Sequence, residues 1–84
     1  MRHFATPDFW HAYEALPVSV QKLADQNFEL LKTNPRHPSL HFKRVSHFWS
    51  ARVGLSWRAL AVEDADAMIW FWIGSHADYD KFVR

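Results

Sequence analysis

The spacing of hydrophobic and polar positions changes once along this 84-residue chain, near residue 38. Before that point it is helical. Val20, Leu23, Ala24, Phe28 and Leu31 fall at i, i+3, i+4, i+8 and i+11, one stripe of a helix opened by Pro17. Ahead of it, "TPDFWHAYEAL" reads as a shorter helix, with Thr6 as N-cap and Pro7 at the first helical position, where the missing N–H costs nothing. "TNPRHP" ends the second helix, because Pro35 and Pro38 each push the preceding residue out of the helical region. Before Thr6, "RHFA" leaves room for a short first strand.

Beyond residue 38 the period becomes two. In "LHFKRV", Leu40, Phe42 and Arg44 face one way and His41, Lys43 and Val45 the other. "WSARV" and "SWRALAV" follow on either side of Gly54, with Trp57, Ala59 and Ala61 alternating against Arg58, Leu60 and Val62. The acidic "EDADA" then turns the chain into "MIWFWI". There both alternating sets are apolar, Ile69, Phe71 and Ile73 against Met68, Trp70 and Trp72. Such a strand belongs in the middle of a sheet or under cover on both sides. Short turns between the strands predict an antiparallel meander. Helix, helix, then strands is the order of an α+β fold: two N-terminal helices packed on a twisted antiparallel sheet of three to four strands. Ser75 and Asp78 have capping-box spacing, so a short C-terminal helix starts directly after the last strand.

Composition narrows the class. A chain that is 49% hydrophobic and 17% aromatic is not disordered, and its length suits a single domain over residues 1–84. Without cysteine it has no disulfide or thiolate chemistry. No stretch has the form of a signal peptide or reaches the roughly 18 apolar residues of a membrane span. A cytoplasmic protein with no membrane partner is expected. The net charge of +1 conceals an asymmetry. From Leu30 to Val62 there is no Asp or Glu, while Lys32, Arg36, Lys43, Arg44, Arg52 and Arg58 lie there with His37, His41 and His47. That is the footprint of a polyanion site or, more plainly, of a solvated sheet face.

The sharpest candidate chemistry is at the end of the greasy strand. His76 and Tyr79 are three apart, so they share one face of the first helical turn. A buried strand mounts them rigidly, and a helix N-terminus favours a nearby anion such as a phosphate. The plainer alternatives stay open: a surface histidine, a tyrosine packed under the sheet edge, and an Asp78 that only caps. A metal is not expected. His37 and His41 are four apart, but they flank Pro38, and no Cys or carboxylate completes a recognisable ligand spacing.

Three ordered stretches, "LPVSVQKLADQNFELLKTNPRHPSLHFKRV", "ARVGLSWRALAV" and "IWFWIGSHADYDKF", resemble the RelE/ParE superfamily of bacterial toxins from type II toxin–antitoxin systems. The resemblance spans nearly the whole chain and implies a RelE-like α+β fold with a concave basic face. RelE-like members cut messenger RNA in the ribosomal decoding site, using the ribose 2′-hydroxyl as nucleophile. The implied function is therefore a translation-inhibiting, metal-independent mRNA endoribonuclease that needs a base, an acid and cations for the phosphate, and no cofactor. Carried over position by position, His76 falls where some relatives have a catalytic His. Arg58 matches the central-strand arginine expected on the scissile phosphate, and Tyr79 lies near a C-terminal tyrosine that stacks on a base or positions a proton. Lys43 and Arg44 lie on a strand that is basic in the nucleases, with Lys43 as a further catalytic candidate. Arg52 and His41 complete the expected RNA- and phosphate-binding set. The resemblance implies a cognate DNA-binding antitoxin, encoded next to the toxin, and mRNA on the ribosome as partners. The ParE branch shares the fold but inhibits DNA gyrase without nuclease residues, and a degenerate toxin that only binds antitoxin is a third outcome. Trp10, Trp49 and the other aromatics exceed what so small a core can hide, which also points to a partner surface.

Overall fold

A computed structural model describes residues 1–83 of the chain. Helix α1 (Pro7–Glu14) begins as its residue types require: the Thr6 hydroxyl accepts from the Phe9 N–H at 3.2 Å, with Pro7 in the first turn. Helix α2 (Val18–Thr33) follows Pro17. The Gln21 side-chain amide holds the two helices together by donating to the carbonyls of Tyr13 at 3.1 Å and Leu16 at 3.2 Å. Of the predicted stripe, Val20 and Leu31 are buried and Leu23 and Ala24 pack against the core, whereas Phe28 stays largely exposed. No helix among the described residues is long and apolar enough to cross a membrane.

The strands are β1 (Arg2–Ala5), β2 (Lys43–Val45), β3 (Phe48–Val53), β4 (Trp57–Asp64) and β5 (Ala67–Ser75), and α3 (His76–Val83) closes the chain. They form one sheet in the order β1-β5-β4-β3-β2. The four later strands make the expected antiparallel meander. The sheet departs from the expected three to four antiparallel strands in having a fifth, β1, which pairs parallel with β5. The physical reason is β5 itself: apolar on both faces, it would otherwise leave a raw hydrophobic edge, and the four residues of β1 cover it.

Helices α1 and α2 cover one face of the sheet. Leu31, Leu40, Ala51, Val53, Ala59, Ala61, Met68, Trp70 and Ile73 form the core there. The other face carries a smaller apolar cluster under α3. It includes fully buried Leu60, and Trp72 and Phe71 pack against Phe82 with ring centroids 4.8 and 6.2 Å apart. Strict alternation along "MIWFWI" would put Trp70 and Trp72 on the same face. A bulge prevents this: Leu60 opposes Trp72 and Ala61 opposes Trp70, so Phe71 is the extra residue and the phase shifts by one. Trp70 therefore enters the main core, and Trp72 serves the α3 side.

Candidate functional site

Directly opposed residues of an antiparallel ladder share a face. Arg52, Arg58 and Gly74 form one row across β3, β4 and β5. Lys43, Ser50, Leu60 and Trp72 form the next. Both rows lie on the face opposite α1 and α2, since the alternate residues Ala51, Ala59 and Ile73 occupy the core. The register thus gathers Lys43, Arg52 and Arg58 on one face. Arg44 opposes Trp49 and falls on the other face, so it does not join them.

Gly74 answers why the greasy strand ends as it does. A Cβ there would lie 2.4 Å from the Trp72 indole, because that ring lies flat across the glycine. With no side chain at 74, the indole fills the place beside Arg58 and meets Phe82 of α3. Helix α3 is then pinned at its start. The Ser75 hydroxyl accepts from the Asp78 N–H at 3.2 Å, and the His76 N–H donates to the Ser56 carbonyl at 2.8 Å in the β3–β4 loop.

Those constraints bring His76 to Arg58 of the cationic row. Both neighbour the Tyr79 ring: its centroid is 5.6 Å from that of His76 and 6.0 Å from the Arg58 guanidinium carbon. Tyr79 is only 8% exposed. So deeply placed, it leaves a base little of the ring to stack on. The plainer alternative for Tyr79, packing at the sheet edge, fits this placement better than the stacking role.

At the other end of the row, Arg52 Nη1 lies 3.4 Å from His41 Nε2, and its Nε donates to the Gly54 carbonyl at 3.2 Å. His41 has φ 42°, a left-handed conformation uncommon for a side-chain-bearing residue. Arg58 Nη1 donates to the Trp57 carbonyl at 2.8 Å. Among the described residues neither arginine pairs with a carboxylate. Like charges placed directly opposite destabilise a sheet, and Arg58 feels this: burial and then the Arg52 charge lower its pKa, while Tyr79 and Asp80 pull the other way. Two guanidinium groups on one face, neither in a direct ion pair, attract a phosphate.

One residue of the cluster had drawn no attention in the sequence. Asp80 Oδ2 lies 3.8 Å from His76 Nδ1, with both side chains about half exposed. The signal was the i, i+4 spacing on α3.

On the opposite face the structure has a cavity of about 280 Å³, walled by Phe9, Trp10, Tyr13, Phe28 and Trp70 among others. Trp10 and Phe28 are exposed at its mouth. Trp49, expected to be exposed with Trp10, instead packs on Phe42 at 5.0 Å and donates its indole N–H to Glu63 at 3.2 Å.

A ParE-like toxin domain model matches residues 18–81. No curated protein matches the chain by sequence. Among solved structures, the chain is similar to the RelB–RelE antitoxin–toxin complex of Methanococcus jannaschii, with 14% identity over 96% of this chain and 99% of that one, at a TM-score of 0.72. It is similar to YafQ of E. coli strain BL21(DE3), with 15% identity, 94% and 98% coverage and a TM-score of 0.70. A YoeB/ParE toxin from Agrobacterium tumefaciens matches at 14% identity, 90% and 99% coverage and a TM-score of 0.67. At these identities the structural likeness speaks for the fold.

Proposed function

The chain belongs to the ParE-like toxin domain family, toxins of type II toxin–antitoxin systems, and from that premise we propose that it is an endoribonuclease acting on messenger RNA. One observation carries the reading: His76 and Arg58 are both neighbours of the same buried tyrosine, with Arg52 directly opposite Arg58. A general base is thereby set beside a two-arginine phosphate clamp.

The chemistry needs nothing covalent from the protein. His76 takes the proton of a ribose 2′-hydroxyl. The 2′-oxygen then forms a bond to the adjacent phosphorus as the bond from phosphorus to the 5′-oxygen breaks. The leaving oxygen takes a proton from the Lys43 or His41 end of the row, and a 2′,3′-cyclic phosphate and a 5′-hydroxyl result. Arg58 and Arg52 stabilise the charge that builds on the non-bridging oxygens. Arg44, on the other face, is left to bind RNA only at a distance from this centre. A single positioned general base of this kind contributes about 10²–10⁴-fold to rate. The ribosome supplies the mRNA in this reading, and because a net charge of only +1 gives little general attraction to that polyanion, the acid-free stretch from Leu30 to Val62 must make the contact. An antitoxin is the second partner. The exposed Trp10 and Phe28 offer it an apolar surface away from the cationic row.

The same low net charge favours a second reading, non-enzymatic inhibition of DNA gyrase, in which His76 is incidental. Labelled-precursor incorporation in cells separates the two, since a nuclease stops protein synthesis first and a gyrase inhibitor stops DNA synthesis first. Within the nuclease reading, His76→Ala abolishes growth arrest while the fold and antitoxin binding persist. Full toxicity in that variant removes the role given to His76.

A further inference from the structure

We propose that Asp80 is a positioning residue for His76: its carboxylate holds the imidazole by Nδ1, so that Nε2 is presented to the substrate. The inference rests on the nuclease reading for its purpose but on geometry for its content. The two residues are one helical turn apart on α3, with Asp80 Oδ2 3.8 Å from His76 Nδ1. Histidine Nδ1 therefore has a carboxylate neighbour, and Nε2 is the nitrogen left for a proton from RNA. At 3.8 Å the contact is an ion-pair distance rather than a hydrogen bond, which is common for acid–base pairs without substrate.

The surroundings narrow what else Asp80 does. Asp78, the other acid of α3, is occupied with Lys81 at 3.3 Å and with its place in the helix cap. The charge next to His76 on its own helix is therefore Asp80, and Arg58 on β4 shares Tyr79 with it as a neighbour. Asp80 is also close enough to Arg58 to oppose the loss of basicity that burial and Arg52 impose on it. One carboxylate thus borders both the base and the clamp. Tyr79 restrains the imidazole at its face, and Asp80 restrains it at its edge. Together they leave one nitrogen for chemistry. When His76 accepts the 2′-hydroxyl proton, the new positive charge lies beside a carboxylate already in place.

Two measurements test this, and they fail separately. The first is the tautomer of neutral His76, read by nitrogen-15 NMR on the intact chain. An unassisted imidazole favours the proton on Nε2. The wild type should favour Nδ1–H, and Asp80→Asn should return it to Nε2–H. The second is mRNA cleavage on programmed ribosomes, where Asp80→Asn should lower kcat roughly 10-fold with KM unchanged, as expected for a base left whole but unoriented. Asp80→Glu should recover part of that loss. If the wild type cuts no RNA, the nuclease reading falls and the tautomer still decides the role of Asp80. An unchanged tautomer in Asp80→Asn overturns the proposal, as does a changed tautomer with an unchanged kcat in an active enzyme.

Discussion

Adding one methyl group at Gly74 should destabilise this protein, against the usual expectation for a glycine within a strand. Gly74 is not among the positive-φ residues, so alanine meets no backbone strain there. On propensity alone, Gly→Ala in an element interior should gain about 0.5–1 kcal/mol. The structure predicts the opposite sign. The new Cβ would lie 2.4 Å from one indole carbon of Trp72 and 2.9 and 3.0 Å from two more, so the ring must leave the strand surface. In doing so it gives up its contact with Phe82. Overpacking of this kind costs about 1–3 kcal/mol, which leaves a net loss of up to about 2.5 kcal/mol, and about 1–1.5 kcal/mol at mid-range, after the propensity gain. For a chain of this length that lowers Tm by roughly 5–15 °C. Urea unfolding of four proteins gives the assay: wild type, Gly74→Ala, Trp72→Leu and the double variant. In the Trp72→Leu background the clash is gone and Gly74→Ala should become neutral or stabilising, a coupling of more than about 0.5 kcal/mol. The reasoning fails if Gly74→Ala stabilises the wild type, or if its effect is the same with and without Trp72.

The remaining predictions concern charge. His3 Nδ1 accepts the Trp70 indole N–H at 3.0 Å, and burial, then the N-terminus, then Lys32, lower its pKa below 6.5. The unfolded chain therefore binds more protons in that window. The His3 contribution to stability is complete above pH 6.5 and is lost as pH falls through the folded value. Thermal unfolding from pH 7 down to 5 should fall less steeply for His3→Gln than for wild type, and parallel curves would show that His3 is not held neutral. Relieving the Arg52–Arg58 opposition by Arg52→Gln should raise stability by about 0.2–1 kcal/mol while weakening RNA binding. A variant that loses both stability and binding would mean the pair is structural. Added inorganic phosphate should raise the Tm of the wild type more than that of Arg52→Gln, which thermal scans at fixed ionic strength will read.

Which side chains share a face of the sheet is largely legible in the sequence, and the parts that are not have identifiable causes. Alternation in "LHFKRV" already separated Lys43 from Arg44, and the ladder register keeps them apart. The same alternation put Arg58 with Leu60, away from Trp57 and Ala59, and the structure agrees. The bulge at Phe71 leaves no trace in the sequence, because a strand apolar on both faces has no polar positions to mark a change of phase. Pairing of β1 with β5 was equally hidden: four residues carry little pattern, and their partner lies more than 60 positions away. The burial of Tyr79 depends on where α3 docks, which Trp72 and Gly74 decide together. Asp80 was open to view through its spacing from His76 but had the look of an ordinary solvated acid.

The central claim is that the face bearing His76, Arg58 and Arg52 cuts RNA, and mapping the ends of an mRNA after incubation with the purified chain and programmed ribosomes tests it most directly. The account predicts fragments with 2′,3′-cyclic phosphate and 5′-hydroxyl ends from the wild type, and about 10²–10⁴-fold fewer from His76→Ala at unchanged fold. An mRNA left whole by the wild type, or cut equally well by His76→Ala, would contradict it.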